Sequence, residues 1–284
     1  MKTRKVFYQL LSCFFFSLLG LQIKFIYLSY SIETIVFYRS FLGAIIMIFF
    51  FIIFKKDKKK SLLNKNLKFH FLRSIFGVFA MYFGYKALTL ISLSLATTVG
   101  FTKVFFTTIF SSIILKESLN LIKIFLIFVG FLGVYLIALP SSFSEIDGLV
   151  LALASALFVS GGIISVSYLT KKDNTINILM FHSIISSILI FLFFYEKIIF
   201  NINNNIFQVI LMTLTALVGQ FFNTESYRDE KAGLIIITSY SRIIFSTILG
   251  FLFLEEKISN ISLIGIMIII GTTFFVKQGS LKKD

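Results

Sequence analysis

Apolar residues run almost unbroken for about twenty positions at a time, ten times over, at 6–28, 34–54, 69–90, 94–115, 121–139, 147–168, 176–195, 206–226, 232–254 and 260–276. Each run is near the ~20 residues with which a helix crosses a ~30 Å hydrocarbon core. None alternates with the two-residue period of a barrel strand, and lipid offers the backbone no hydrogen-bond partners, so the runs read as helices. The expected fold class is an all-α membrane protein with ten transmembrane helices. The first run follows the basic start MKTRK, is too long for a signal peptide and lacks a small-residue cleavage site, so it reads as an uncleaved first helix.

One polar position repeats inside this apolar pattern. The stretch 101–117, FTKVFFTTIFSSIILKE, recurs 139 residues later as 240–256, YSRIIFSTILGFLFLEE, with Phe106/Phe245, Thr108/Thr247, Ile109/Ile248, Leu115/Leu254 and Glu117/Glu256 identical. The third position of each copy is a cation, Lys103 or Arg242, in the middle of a run apolar enough to cross a bilayer. On insertion scales such a charge costs about 2.5–3.5 kcal/mol at the centre of a span, so a matched pair calls for a function. Five helices per half bring the second copy into the membrane from the opposite side. The expectation is two inverted five-helix repeats, 1–139 and 140–284, the construction of many secondary transporters.

Composition agrees with the helices. Of 284 residues, 57% are apolar and 14% are charged, far from the balance of a soluble domain. The single cysteine, Cys13, leaves no disulfide framework or soft-metal site, and no cofactor is expected. The net charge of +14 follows topology rather than nucleic acid. With the N-terminus inside, 19 of the 27 Lys and Arg residues fall in inner segments, including the run KKDKKK, and only Lys197 and Lys257 fall outside. Both termini are thus expected in the cytoplasm. The partners expected are the lipid bilayer and a small-molecule substrate, with no nucleic acid, for a monomer or homodimer.

Several motifs in order resemble the drug/metabolite transporter superfamily, and within it the EamA-type proteins with two five-helix halves. They are the pattern of helices 1 and 2 ending in Lys24 and then IETIVFYRS with Arg39, HFLRSIFG with Arg73 and Gly77, and YKALTLISLSLATT leading into FTKVFF. The L-x-E closures at Glu117 and Glu256 follow, with glycines after them at Gly130, Gly133, Gly265 and Gly271. Where such proteins commonly carry a proline, this chain has Lys103 instead, which predicts a straighter fourth helix. The resemblance implies alternating-access transport across a bacterial inner membrane. It also makes amino acids and related zwitterions, S-adenosylmethionine among them, the leading substrates, with phosphorylated metabolites second. Basic residues on the matching helices hold phosphate in the superfamily's organophosphate exchangers.

The candidate substrate-binding residues are Lys103, Arg242, Lys86, Glu225, Tyr82, Tyr85, Tyr240 and Thr98, around a cavity between helices 3, 4, 8 and 9. Lys103 and Arg242 would clamp an anion, against a packing role in which they pair with Glu225 or helix carbonyls. Arg39 and Lys24, near helix ends, are expected to snorkel or pair with Glu33. His182 is a candidate for proton coupling, with hydrogen-bonded packing as the plainer role. Glu117 and Glu256 are expected to organise tight turns, with Asn120 and Asn260 as N-caps. A membrane enzyme acting on a lipid phosphate is the alternative from another class. It would need a base beside the cations, and Glu225, Glu117 and His182 lie on separate helices.

Overall fold

A computed structural model describes residues 3–54, 66–116, 121–138, 146–201, 205–256, 260–261, 263–265, 267–268 and 271–272. Glu117, Asn120 and the basic stretch 55–65 lie outside the described residues. Among the described residues the regular structure is helical, with no strand. In chain order the helices are α1 (Thr3–Ile26), α2 (Ile32–Phe54), α3 (Leu67–Leu90), α4 (Leu93–Gly100), α5 (Lys103–Ile114), α6 (Leu121–Ala138), α7 (Ile146–Leu169), α8 (Thr175–Phe194), α9 (Ile206–Tyr227), α10 (Ala232–Thr238) and α11 (Ser241–Leu254). Helical residues recur between 260 and 272. Among the described residues seven spans are long and apolar enough to cross a membrane, two of them combining α4 with α5 and most of α10 with α11. Phenylalanine, leucine and isoleucine cover the outer surface, Phe49, Ile113, Leu192, Phe207 and Leu252 among them, as a lipid-facing coat requires.

Helix ends are built from local polar residues. Ser92 caps α4 by accepting from the Leu95 N–H at 3.1 Å, and Asn174 caps α8 by accepting from the Asn177 N–H at 2.9 Å. Asn260, expected as a cap, is already helical. Glu256 does more than organise its own turn. Its carboxylate crosses to the start of α4 and accepts from the N–H of Leu93 at 2.6 Å, the N–H of Ser94 at 3.2 Å and the Ser94 hydroxyl. An anion there answers the unpaired amides and positive dipole end of the helix.

The fourth span is not one regular helix, contrary to the sequence expectation. At Phe101 and Thr102 the ladder tightens to i→i−3 bonds, Phe101 N–H to Thr98 C=O at 3.0 Å and Val104 N–H to Phe101 C=O at 2.9 Å. The same tightening occurs at the aligned positions of the second copy, Tyr240 to Ile237 at 3.1 Å and Ile243 to Tyr240 at 3.0 Å. No proline stands at either break, and a hydroxyl bonds the backbone at each. Thr102 donates to the Val99 carbonyl at 3.0 Å, and its counterpart Ser241 donates to the Thr238 carbonyl at 2.9 Å. Lys103 is therefore the first residue of α5 and Arg242 the second of α11, just after each bend.

The helices pair in a pattern that brings the halves together. α3 lies along α7 and α1 along α9, while α2 lies along α8; α4 and α5 pack on α7, as α11 does on α1. Two serines pin the bends across these contacts. Ser17 of α1 donates to the Arg242 carbonyl at 3.1 Å, and Ser160 of α7 donates to the Lys103 carbonyl at 3.1 Å.

Candidate functional site

Where α1, α3, α4, α5, α7 and α9 converge with α2, α8 and α10–α11 they form a cavity of about 210 Å³. Four cations line it: Arg39 from α2, Arg73 from α3, Lys103 from α5 and Arg242 from α11. No acidic side chain is among its described lining residues. Only 6% of Arg39 and 8% of Lys103 is exposed. At about 2.5–3.5 kcal/mol for each charge in a membrane interior, four cations without a counterion form a costly arrangement unless an anion enters.

Aromatic faces take up the apolar side of three of these cations. Lys103 Nζ lies 4.4 Å from the Phe101 ring centroid, Arg242 Cζ lies 5.5 Å from Phe16, and Arg39 Cζ lies 5.9 Å from Tyr85. Such contacts offset part of the desolvation without neutralising the charge. Arg242 also donates to the Phe16 carbonyl at 3.3 Å, and Arg39 bonds the thioether of Met81. The Nε atoms of Arg39, Arg73 and Arg242 are buried without a hydrogen-bond partner among the described residues. A guanidinium fork is suited to a carboxylate or phosphate, and these three keep donors free for one.

The other expected site residues divide by position. Tyr85 lines the cavity, and so does His182, whose Nδ1 lies 3.1 Å from Ser186 Oγ. Thr98 is fully buried outside the cavity, whose wall takes Thr97 instead. Tyr240 is buried behind Phe101, with the two rings stacked at 5.3 Å, and its hydroxyl donates to the Ile127 carbonyl at 3.4 Å. Lys86 is exposed beside Tyr82, and Tyr82 stacks on Phe194 and donates to Glu33 at 3.3 Å. Neither lines the cavity.

Glu225 belongs to a polar cluster at one end of the bundle. It accepts from Arg228 at 3.2 Å and from Thr175, and lies 3.7 Å from Lys5. Arg228 also donates to the carbonyls of Thr170 at 2.7 Å and Asp173 at 3.0 Å, fastening α9 to the α7–α8 turn. The carboxylate expected to bind substrate, or in the packing alternative to pair with Lys103 or Arg242, is thus engaged by Lys5 and Arg228 instead.

Arg39 and Arg73 were not expected in the site. Counting along a span places Arg39 near a helix end, yet the rotation of α2 turns it inward, and Glu33 meets Tyr82 rather than Arg39. Arg73 carries one usable signal, Gly77 four residues later on the same helix face. A Cβ at Gly77 would fall 2.4 Å from His182 Cε1 and 2.7 Å from Arg73 Nη1, so the missing side chain makes their room. Ser17 and Ser160, which hold the backbone of the two paired cations, were also missed.

Known proteins resemble the chain from end to end. The EamA-like transporter family matches residues 3–139 and 146–277. The pseudopaline exporter CntI of Pseudomonas aeruginosa is 22% identical over 262 residues, covering 92% of this chain and 91% of that protein. Solute carrier family 35 member G1 of Mus musculus is 28% identical over 267 residues, 88% of this chain and 72% of the other. A crystal structure at 16% identity shares the fold with a TM-score of 0.70, over 95% of this chain and 93% of that one.

Proposed function

Because the chain belongs to the EamA-like transporter family, whose members are multi-pass membrane transporters rather than enzymes, we propose that it moves a small organic anion across the inner membrane by alternating access. The observation that carries this reading is the cavity with four cations and no acid among its described lining residues. Lys103 and Arg242 form the clamp, the lysine a point charge and the arginine a fork. Tyr85 and His182 stand beside it, with Thr97 in the place first given to Thr98.

The same feature reverses the order of substrates that the resemblance implies. An amino acid or S-adenosylmethionine brings an ammonium or sulfonium that finds no carboxylate among the lining residues. Organic acids and phosphorylated metabolites present only the charge this cavity accepts. They therefore lead, and zwitterions become the second reading.

Ten helices in two inverted halves, 1–139 and 140–284, are part of the proposal. The aligned bends, the paired packing of α3 on α7 and α1 on α9, and the bonds of Ser17 and Ser160 support it. Lys116 and Glu255, which precede the aligned glutamates, share left-handed backbone at φ 54° and 55°. Both termini are placed in the cytoplasm on the distribution of Lys and Arg.

Proteoliposomes loaded with a radiolabelled panel of dicarboxylates, sugar phosphates, amino acids and S-adenosylmethionine test the function in both directions of transport. Anions are expected to cross, and Lys103→Ala and Arg242→Ala each to slow them at least tenfold. Parent-like rates in both variants would remove the clamp.

A further inference from the structure

We propose that the cavity contains a second anion subsite, formed by Arg39 and Arg73 beside His182, so that the cargo carries two acidic groups on one molecule. This rests on the Lys103–Arg242 clamp and adds to it. The chemical class is a dicarboxylate, or a carboxylate that also bears a phosphate or sulfonate.

The cations fall into two groups. Arg73 Nη1 and the His182 ring meet at Gly77, and Arg39 and His182 share the wall of a smaller recess that neither Lys103 nor Arg242 lines. Tyr85 lines the cavity with its ring centroid 5.9 Å from Arg39 Cζ. One anion on the clamp leaves the second pair of positive charges facing each other.

That pair is built as a site. Arg39 is almost fully buried, yet its hydrogen-bond partner is the weak thioether acceptor of Met81, and its Nε has none among the described residues. Arg73 Nε is likewise buried and unbonded. Gly77 opens the wall where Arg73 and His182 meet, and Gly162 closes the other side, with its would-be Cβ 3.6 Å from Arg73 Nη1. A smaller recess behind Arg39, lined by His182, Ser183, Thr213 and Gln220, adds neutral polar groups and no acid. Two guanidiniums held against mutual repulsion, with free donors and an apolar floor, fit a carboxylate or phosphate that bridges them.

Two subsites within one cavity reward a molecule that fills both, because the second group binds at the high effective concentration set by its tether. Titration calorimetry on the full chain in detergent and low-chloride buffer measures this. Succinate is compared with butyrate, and 3-phosphoglycerate with glycerol 3-phosphate. Each two-acid probe is expected to bind at least tenfold more tightly than its one-acid counterpart, and than an equimolar pair of one-acid compounds.

In Arg39→Gln and Arg73→Gln that ratio is expected to fall towards one, with Arg73→Lys in between because it keeps the charge and loses the fork. The parent's ratio decides even if a glutamine variant does not fold. A parent ratio near one, no two-acid probe bound, or an undiminished ratio in both folded variants would overturn the second subsite. If instead Lys103→Gln and Arg242→Gln bind one-acid probes as the parent does, the clamp reading fails.

Discussion

Cys13 is the one cysteine of the chain, and it lines the cation cavity with its thiol donating to the Ser239 carbonyl at 3.7 Å. It is a built-in reporter of local potential, because charged reagents concentrate or thin out in proportion to the field they meet. A sulfonate-bearing methanethiosulfonate is expected to modify it at least tenfold faster than the trimethylammonium reagent of similar size, and Lys103→Gln to narrow that gap. Intact-protein mass spectrometry follows both reactions, and equal rates in the parent would contradict a positive cavity. At this scale the sequence shows Lys103 and Arg242 because the repeat marks them. It does not show Arg39 and Arg73 as a pair, since linear position gives a rough depth but not the face a helix turns to its neighbours. For Arg73 the clue was the small residue at i+4, which sits under the side chain on a helix surface.

The spans were legible element by element, because a run of apolar residues long enough to cross lipid has one stable backbone solution. The bends were not. Sequence reasoning looked for proline, whereas here threonine and serine hydroxyls back-bond to the i−3 carbonyls at 102 and 241. The link from Glu256 to α4 was equally hidden, since it joins residues 163 apart in the chain. Losing a side-chain cap costs about 1 kcal/mol, and the helix dipole adds to it when the cap is charged. Glu256→Gln is therefore expected to lower the melting temperature in detergent by a few degrees, and Glu256→Ala by more. An unchanged melting temperature in Glu256→Ala would show that the contact contributes nothing to stability. Gly250 belongs to the same device, because a Cβ there would come 2.5 Å from a Glu256 carboxylate oxygen.

For the molecule as a whole, orientation rests on loop charge, which sequence records directly, while the cavity depends on how ten helices converge, which it does not. A cysteine in place of Lys60, in a Cys13→Ser background, is expected to resist an impermeant maleimide applied to intact cells and to react after permeabilisation. Ready labelling from outside would reverse the proposed orientation. The cavity has a further consequence for the protein at rest. Where all four cations keep their charge, they make this space of about 210 Å³ a bead of anion-exchange resin. Whichever small anion the surrounding solution supplies becomes the counterion. Loading is then a displacement, so apparent affinity for cargo reflects the anion that leaves as well as the one that arrives.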